Sequence, residues 1–367
     1  MKKVALNSFG RFHTFDLAKK LNQFGILKIF VTSYPKHKFK IDNVVSYHYP
    51  NFQYILTALN RLKIYNFSRV YEKKIINNYS SKSALINYES VDIIHSLSSF
   101  GLETFKKYKN NKLLYIDRGS THRNYQENKI KEEYYNYGIK YYPNHEMIER
   151  DIEEYEMADK IIVPSNFVKD TFILENISEN KIEVIPYAMD SKLFFRYNPY
   201  KKKKKFLYVG ALSIRKGIYY LLEAFNNLPD YALTVIGSQT DEWKLIKKKL
   251  GRINSNISIK GIIKRTELIK YFNTHDALIL PSIEEGLPLV MLQAIMCKTP
   301  IIVSKECGHS TLGNLPNVTI IERSQESIIN AVLNFNHNHY NNDYEKIINY
   351  IDINEKMYDQ RIINLYK

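Results

Sequence analysis

The feature that most constrains this chain is a repeated rhythm of short, unbroken apolar runs separated by stretches of helical periodicity. In the first half the runs fall at residues 4–6, 26–31, 93–95, 113–116 and 161–163. A strand with one wet face alternates apolar and polar residues, whereas runs without alternation fit parallel strands buried on both faces. The second half repeats the pattern at residues 206–209, 233–236, 257–259, 277–280, 301–303 and 318–321. Between runs, residues such as Ile218, Leu221, Leu222, Phe225 and Leu228 share one face at a period near 3.6. This predicts the α/β class, with two doubly wound, Rossmann-like domains in tandem facing across a cleft. A length of 367 residues exceeds the size at which one core stops growing, which also favours two domains.

The predicted divisions are an N-terminal domain over 1–190, a linker over 191–205, a C-terminal domain over 206–345 and a terminal helix over 346–367. The linker contains NPYKKKKK, which has no apolar periodicity, and its lysine run reads as solvated. An apolar fraction of 44% with 25% charged residues is that of a globular chain and excludes wholesale disorder. Cys297 and Cys307 are too few for a disulfide framework and fit no metal-ligand spacing. The opening MKKVALNSFGRF has too short an apolar stretch for a signal peptide, and no later run reaches the length of a membrane span. A cytoplasmic location is expected, with peripheral contact at the inner face of the membrane as the alternative.

The net charge of +15 is unevenly spread. Residues 1–140 carry 24 Lys and Arg against 10 Asp and Glu, and residues 141–190 carry 4 against 12. The basic front fits an anionic partner, or the Lys, Asn, Ile and Tyr bias of an AT-rich genome. No nucleic-acid motif is present and the acidic stretch interrupts any continuous basic face, so no nucleic-acid partner is expected. Residues 34–82 hold nine Lys and Arg against Asp42 and Glu72, interleaved with Tyr47, Tyr49, Phe52, Tyr54, Tyr65, Phe67 and Tyr71. Either this segment meets an anionic membrane, or its aromatics form core and its lysines are solvated; both stand at this point.

Ligands of open α/β sheets bind beyond the carboxyl ends of the strands, so the loops there matter most. In FLYVGALSIRKGIYYLLEAF a buried strand ends at Gly210, and Arg215 and Lys216 stand before an amphipathic helix. Gly210 and Gly217 permit close backbone approach, Lys216 supplies a point charge, and Arg215 offers planar donors to a diphosphate. In ALILPSIEEGLPLVMLQAIMCKTPIIVS a strand leads to Glu284, Glu285 and Gly286, with Pro288 as first helical residue. Glu285 in a solvent-facing loop at the helix start can accept sugar hydroxyls while the amides after it face phosphate; it can equally be a helix-dipole carboxylate. Ser165 in VPSNFVKDTF reads as a helix N-cap. No Asp-x-Asp pair follows a strand, so no metal or other cofactor is expected.

These motifs resemble the retaining glycosyltransferase family 4, of GT-B fold, in its bacterial-type branch, over nearly the whole chain. The resemblance implies transfer of a sugar from a nucleotide-diphosphate sugar to a saccharide or lipid-linked saccharide acceptor, in surface polysaccharide or glycolipid synthesis. It implies a terminal helix that returns to the first domain, and retention by front-face attack with no enzyme nucleophile. It further implies that Glu285 touches the donor sugar and that residue 293 holds the ribose. Residue 293 is Gln where the family carries a second Glu, and residue 211 is Ala where many members carry Arg. In the first domain NSFGRFHTFDLAKKL is similar to the family's opening glycine loop, placing Gly10 near the cleft. LLYIDRGSTHRNYQ places Arg118, Ser120 and His122 along it, with His122 preferred to His13 as the histidine that contacts the donor sugar. The expected catalytic residues are Lys216, Glu285 and His122. The expected donor-binding residues are Gly10, Arg118, Gly210, Arg215, Gly217, Gly286, Leu287, Pro288, Leu289 and Gln293. A nucleotide-sugar epimerase of the same fold and an inactive nucleotide-sugar binder are the competing expectations.

Overall fold

The computed structural model describes residues 1–61, 65–188, 192–197, 204–313, 315–335 and 344–367, apart from the side chains of 56, 59–61, 65–71 and 344. The first sheet contains β1 (Val4–Ser8), β2 (Leu27–Thr32), β3 (Val45–His48), β4 (Ile93–Leu97), β5 (Leu113–Asp117), β6 (Lys160–Val163) and β7 (Ile182–Val184). They lie in the order β3-β2-β1-β4-β5-β6-β7, and every pairing is parallel. The covering helices are α1 (Thr14–Gln23), α2 (Pro50–Arg61), α3 (Tyr65–Ala84), α4 (Leu102–Tyr108), α5 (Arg123–Asn136), α6 (His145–Met157) and α7 (Asn166–Leu174). Apolar residues of α1 pack on one face of the sheet, and those of α3, α4 and α7 on the other, so the central strands are dry on both sides.

The second sheet is built the same way from β8 (Lys205–Val209), β9 (Ala232–Ile236), β10 (Ile257–Ile259), β11 (Ala277–Leu280), β12 (Ile301–Ser304) and β13 (Val318–Ile321). Its order is β10-β9-β8-β11-β12-β13, again all parallel. Its helices are α8 (Ile218–Asn226), α9 (Trp243–Leu250), α10 (Arg265–Thr274), α11 (Leu289–Met296) and α12 (Gln325–Leu333). Chain order therefore reverses between β1 and β4 in one sheet and between β8 and β11 in the other. Loops that leave neighbouring strands at such a point diverge and open a crevice, and the glycine, basic and acidic loops read from the sequence all lie there.

Two strands have no counterpart among the apolar runs. β3 is a half-exposed edge strand and β7 spans three residues with Glu183 at its centre, so neither needs an unbroken run. Lys205, placed in the linker from sequence, opens β8, its amide donating to the Asp276 carboxylate at 3.2 Å. Lys201, Lys202 and Lys203 of the lysine run lie outside the described residues. The last helix, α13 (Tyr344–Leu365), packs in two places. Ile347 and Ile351 join the second-domain core, whereas Tyr358, Ile362 and the following Tyr366 join the core of the first. The Lys2 amide donates to the Tyr366 carbonyl at 2.8 Å, tying the two chain ends together.

The aromatic segment divides. Phe52 is core, Tyr47 and Tyr49 pack against it, and Tyr54 is 49% exposed. The side chains of Tyr65, Phe67 and Tyr71 lie outside the described residues. Among the described residues no helix is long and apolar enough to cross a membrane.

Candidate active site

The second-domain half of the site is two loops locked together by close backbone approach. Gly217 caps α8 with φ +64°, and a Cβ there would lie 1.8 Å from the Pro281 carbonyl oxygen after β11. Both the left-handed backbone and the space demand glycine. Gly210, at the end of β8, donates to the Ile236 carbonyl at 2.9 Å, and a Cβ on Gly237 would lie 1.7 Å from the Gly210 carbonyl oxygen. The Ile283 amide donates to the Arg215 carbonyl at 3.0 Å, so the basic loop and the acidic loop run side by side.

Lys216 and Glu285 form an ion pair. Both are largely buried, so Glu285 does not stand in a solvent-facing loop as the sequence suggested; its amide is held by the Glu306 carbonyl at 3.0 Å and its carboxylate faces Lys216. Burial, then the neighbouring Arg215 guanidinium, push the Lys216 ammonium down to about 7. A diphosphate entering here would add a second anionic partner to a cation that burial leaves poorly solvated.

Pro288 is the N-cap of α11 rather than its first residue. The following amides of Leu289 and Val290 start the helix and have no carbonyl four residues earlier within it. Gln293, in the second turn, is 6% exposed and its Oε1 finds no hydrogen-bond partner among the described residues. A buried amide oxygen left unpaired is costly unless a ligand supplies the donor, as a ribose hydroxyl would. The Leu287 side chain is core at 2% exposure, so only its backbone is free to serve a ligand, while Leu289 is 41% exposed.

The first-domain half differs from expectation at two residues. Arg118 is buried and spends its guanidinium on the Thr121 carbonyl (3.1 Å), Asp151 (3.4 Å) and Gln126 Oε1 (2.9 Å). It does not line open cleft. His122 is also a correction: its ring packs between Tyr155 and Phe172 at 2% exposure. Burial, with Arg118 nearby, pushes it down to about 4, so it is neutral near pH 7 and enclosed by aromatic walls. His13 is the less enclosed of the two. Its Nε2 lies 2.8 Å from Asp117 Oδ2, its ring lies tilted by 31° against that of Tyr187, and a Cβ on Gly119 would lie 3.8 Å from its Cε1. Gly10, in the loop after β1, has φ +72°, and its amide donates to Ser33 Oγ at 2.7 Å.

The two halves touch. A Cβ on Gly286 would lie 2.1 Å from the Gly119 carbonyl oxygen, and Ser165 Oγ, besides capping α7, donates to the Gly286 carbonyl at 2.7 Å. Glu284, not singled out from the sequence, reaches across to Ser120, Thr121 and Gln126. Two consecutive glutamates were the only signal, and which of them faces the other domain is set by the loop path. Among the described residues no cluster of three or more His, Cys, Asp or Glu is placed to hold a metal ion.

Two parallel sheets of Rossmann type facing across such a cleft define the GT-B class of glycosyltransferase folds. Residues 189–352, just under half of the chain, match the family described as Glycosyl transferases group 1. A putative teichuronic acid biosynthesis glycosyltransferase of Bacillus subtilis is 29% identical over 133 residues, 36% of this chain and 32% of that protein. An uncharacterized glycosyltransferase of Methanocaldococcus jannaschii is 23% identical over 303 residues, 81% of this chain and 75% of that one. The match thus spans about a third of the length of the first relative and three quarters of the second. Among solved structures, S. aureus TarM in complex with fondaparinux, alpha-GlcNAc-glycerol and UDP superposes with a TM-score of 0.67 at 12% identity, covering 100% of both chains.

Proposed function

We propose that this chain is a retaining, metal-independent glycosyltransferase that moves a sugar from a nucleotide-diphosphate sugar to a saccharide or lipid-linked saccharide, in surface polysaccharide or glycolipid synthesis. The observation that carries the reading is the convergence of Lys216, Arg215, Glu285, the first amides of α11 and the unpaired Gln293 Oε1 at one switch point. Each matches a different part of the donor. The cations and amides meet the diphosphate, Glu285 accepts sugar hydroxyls, and Gln293 accepts from the ribose. Donor binding exchanges the Lys216–Glu285 pair for two ligand contacts.

Charge develops on the leaving diphosphate as the glycosidic bond lengthens, and Lys216 and Arg215 are fixed where that charge appears. Stabilisation by groups already in place requires no reorganisation during the reaction. The acceptor attacks from the face that the diphosphate leaves, and a phosphate oxygen takes its proton; no side chain becomes covalently linked. His13, held by Asp117 and less enclosed than His122, is the first-domain imidazole assigned to the donor sugar in this reading.

The test is release of nucleotide diphosphate from UDP- and GDP-sugars with and without saccharide acceptor, repeated in excess EDTA. Acceptor-dependent release that survives EDTA is expected. Release without transfer, turnover to an epimeric donor, or inactivation that Mg²⁺ or Mn²⁺ reverses would each overturn part of the reading.

The acceptor side is proposed to dock on an anionic membrane. A groove of about 680 Å³ lined by Tyr34, Pro35, Lys38, Gln53, Tyr54 and Thr57 opens beside the Gly10 loop, where Gln53 Oε1 lies 3.4 Å from the position a Gly10 Cβ would take. Tyr54 and Ile55 are about half exposed on α2, and Lys36, Lys38 and Lys40 stand close in sequence to the groove. Basic residues near a membrane surface contribute about 1 kcal/mol each, and exposed aromatics suit the interface. Co-sedimentation with phosphatidylglycerol vesicles should therefore be strong in low salt and weak in high salt, because salt screens surface charge. No binding at low salt would point to a soluble acceptor.

A further inference from the structure

Glu284 is fully buried at the junction of the two domains, and its partners come mostly from the other one. Its Oε1 accepts from Ser120 Oγ at 2.5 Å, the Thr121 amide at 2.9 Å and Thr121 Oγ1 at 2.9 Å. Its Oε2 accepts from Gln126 Nε2 at 2.9 Å and from Arg215 Nη1 at 3.0 Å. Arg215 Nη1 also donates to the Glu284 main-chain carbonyl at 2.9 Å. Gln126 is aligned in turn by Arg118, whose Nη2 donates to its Oε1 at 2.9 Å. A chain of side chains, Arg118 to Gln126 to Glu284 to Arg215, thus crosses from the first domain to the second.

A carboxylate offers about four lone-pair sites, and five donors here fill them. Burial alone would raise the Glu284 carboxyl; Arg215, Ser120, Thr121 and Gln126 outweigh it and hold it at about 2. The group is ionised, and charge-assisted bonds of this kind are about twice as strong as neutral ones. On opening of the cleft, the four bonds from Ser120, Thr121 and Gln126 would all part together. A carboxylate serving only to brace its own loop has no use for them.

The same carboxylate fixes Arg215. That guanidinium spends Nη1 on Glu284, whereas its Nε and Nη2 make no hydrogen bond among the described residues, and its side chain is 30% exposed. One edge of the fork is anchored and the other keeps its donors available to a ligand.

We infer that Glu284 is a positioning residue, a clamp that couples closure of the two domains to the orientation of Arg215 toward the donor diphosphate. The coupling to the diphosphate rests on the donor-site reading above; the clamp itself does not. When the turn at residues 119–121 swings away, Glu284 loses its first-domain donors and Arg215 loses a rigid anchor. When the turn returns, both are restored. Closure and anion recognition are one event, because a single carboxylate serves both.

The test combines small-angle scattering of the whole chain with calorimetric titration of UDP and GDP, for the wild type, Glu284→Gln and Thr121→Val. The Gln variant keeps the shape but turns an NH₂ group toward donors. Thr121→Val removes one hydroxyl and leaves the charge, so it folds even if Glu284→Gln does not. A compact wild type is expected without nucleotide, with a larger radius of gyration in both variants. The preferred nucleotide should bind about tenfold more weakly to Glu284→Gln and about threefold more weakly to Thr121→Val, in keeping with charged and neutral hydrogen bonds. A wild type that is already extended, or variants with unchanged radius, would overturn the clamp. Weaker binding without expansion would overturn the coupling and confine Glu284 to its own loop. Expansion in variants of a chain that binds neither nucleotide would leave the clamp standing and refute the donor site.

Discussion

Replacing Lys216 by Ala is expected to lower kcat by about a hundredfold to a thousandfold, the range typical for loss of one preorganised group that stabilises developing charge. The charge at stake is that of the departing diphosphate, and the expectation follows from where Lys216 lies. It closes the basic loop before α8, pairs with Glu285, and is buried enough that its ammonium is held down to about 7. The pKa shift makes a second, independent expectation. Folding lowers this lysine below its ordinary value near 10.4, so the folded state is penalised by its charge at low pH, and the penalty fades as pH rises above about 7. Nucleotide diphosphate needs the charged form, so affinity should weaken as pH rises from about 7 to 9 in the wild type but not in Lys216→Ala. The fold should persist, since removing a buried ammonium relieves desolvation while Glu285 retains Arg215 Nη1 at 3.8 Å. Steady-state turnover, titration across pH and thermal melting check these points. An unchanged kcat would remove Lys216 from the chemistry.

Gly286→Ala should be nearly as damaging to turnover, through geometry alone. The added Cβ would lie 2.1 Å from the Gly119 carbonyl oxygen and 3.0 Å from Pro164 Cγ, both in the opposite domain. The first of these is backbone and cannot rotate away. Gly286 does not have a left-handed φ, so alanine costs little within the second domain itself. The clash therefore acts only when the domains meet, and it holds them apart. A displacement of about 1 Å at reacting groups can cost a hundredfold in rate, which is the loss expected in kcat/KM. The variant should melt cooperatively near the wild-type temperature. Gly217→Ala provides the contrast, because its clash with the Pro281 carbonyl lies inside one domain and its φ is +64°, so it should fail to fold stably. Activity of Gly286→Ala at the wild-type level would show that turnover does not pass through this closed arrangement.

Much of the architecture was legible in the chain. Strands buried on both faces need unbroken apolar runs, and a parallel sheet needs a helix between strands, so the class and the tandem arrangement are written locally. Edge strands β3 and β7 were not legible, since half-exposed or three-residue strands need no such run. That Gly210, Arg215, Lys216 and Gly217 lie between β8 and α8 could be read because strand ends and helix starts are local features. The place of Glu285 before α11 could be read in the same way, but its burial against Lys216 could not, because the loop that carries it packs on a loop some seventy residues earlier.

The histidine shows the opposite limit. His13 and His122 both follow strand-end glycines or turns, and nothing in their neighbours in sequence says which is enclosed. His122 is walled in by Tyr155 and Phe172, from α6 and α7, and His13 is anchored by Asp117 at the end of β5. Those contacts depend on how helices settle on the sheet. Glu284 depends on still more, for its donors Ser120, Thr121 and Gln126 belong to another domain. Periodicity and loop chemistry, which act over a few residues, determined the strands, the class of fold and the loops that face the crevice. The relative placement of two separately packed cores decided which carboxylate crosses between the domains and which glycines let them meet, because those contacts join residues over a hundred positions apart that no local pattern relates.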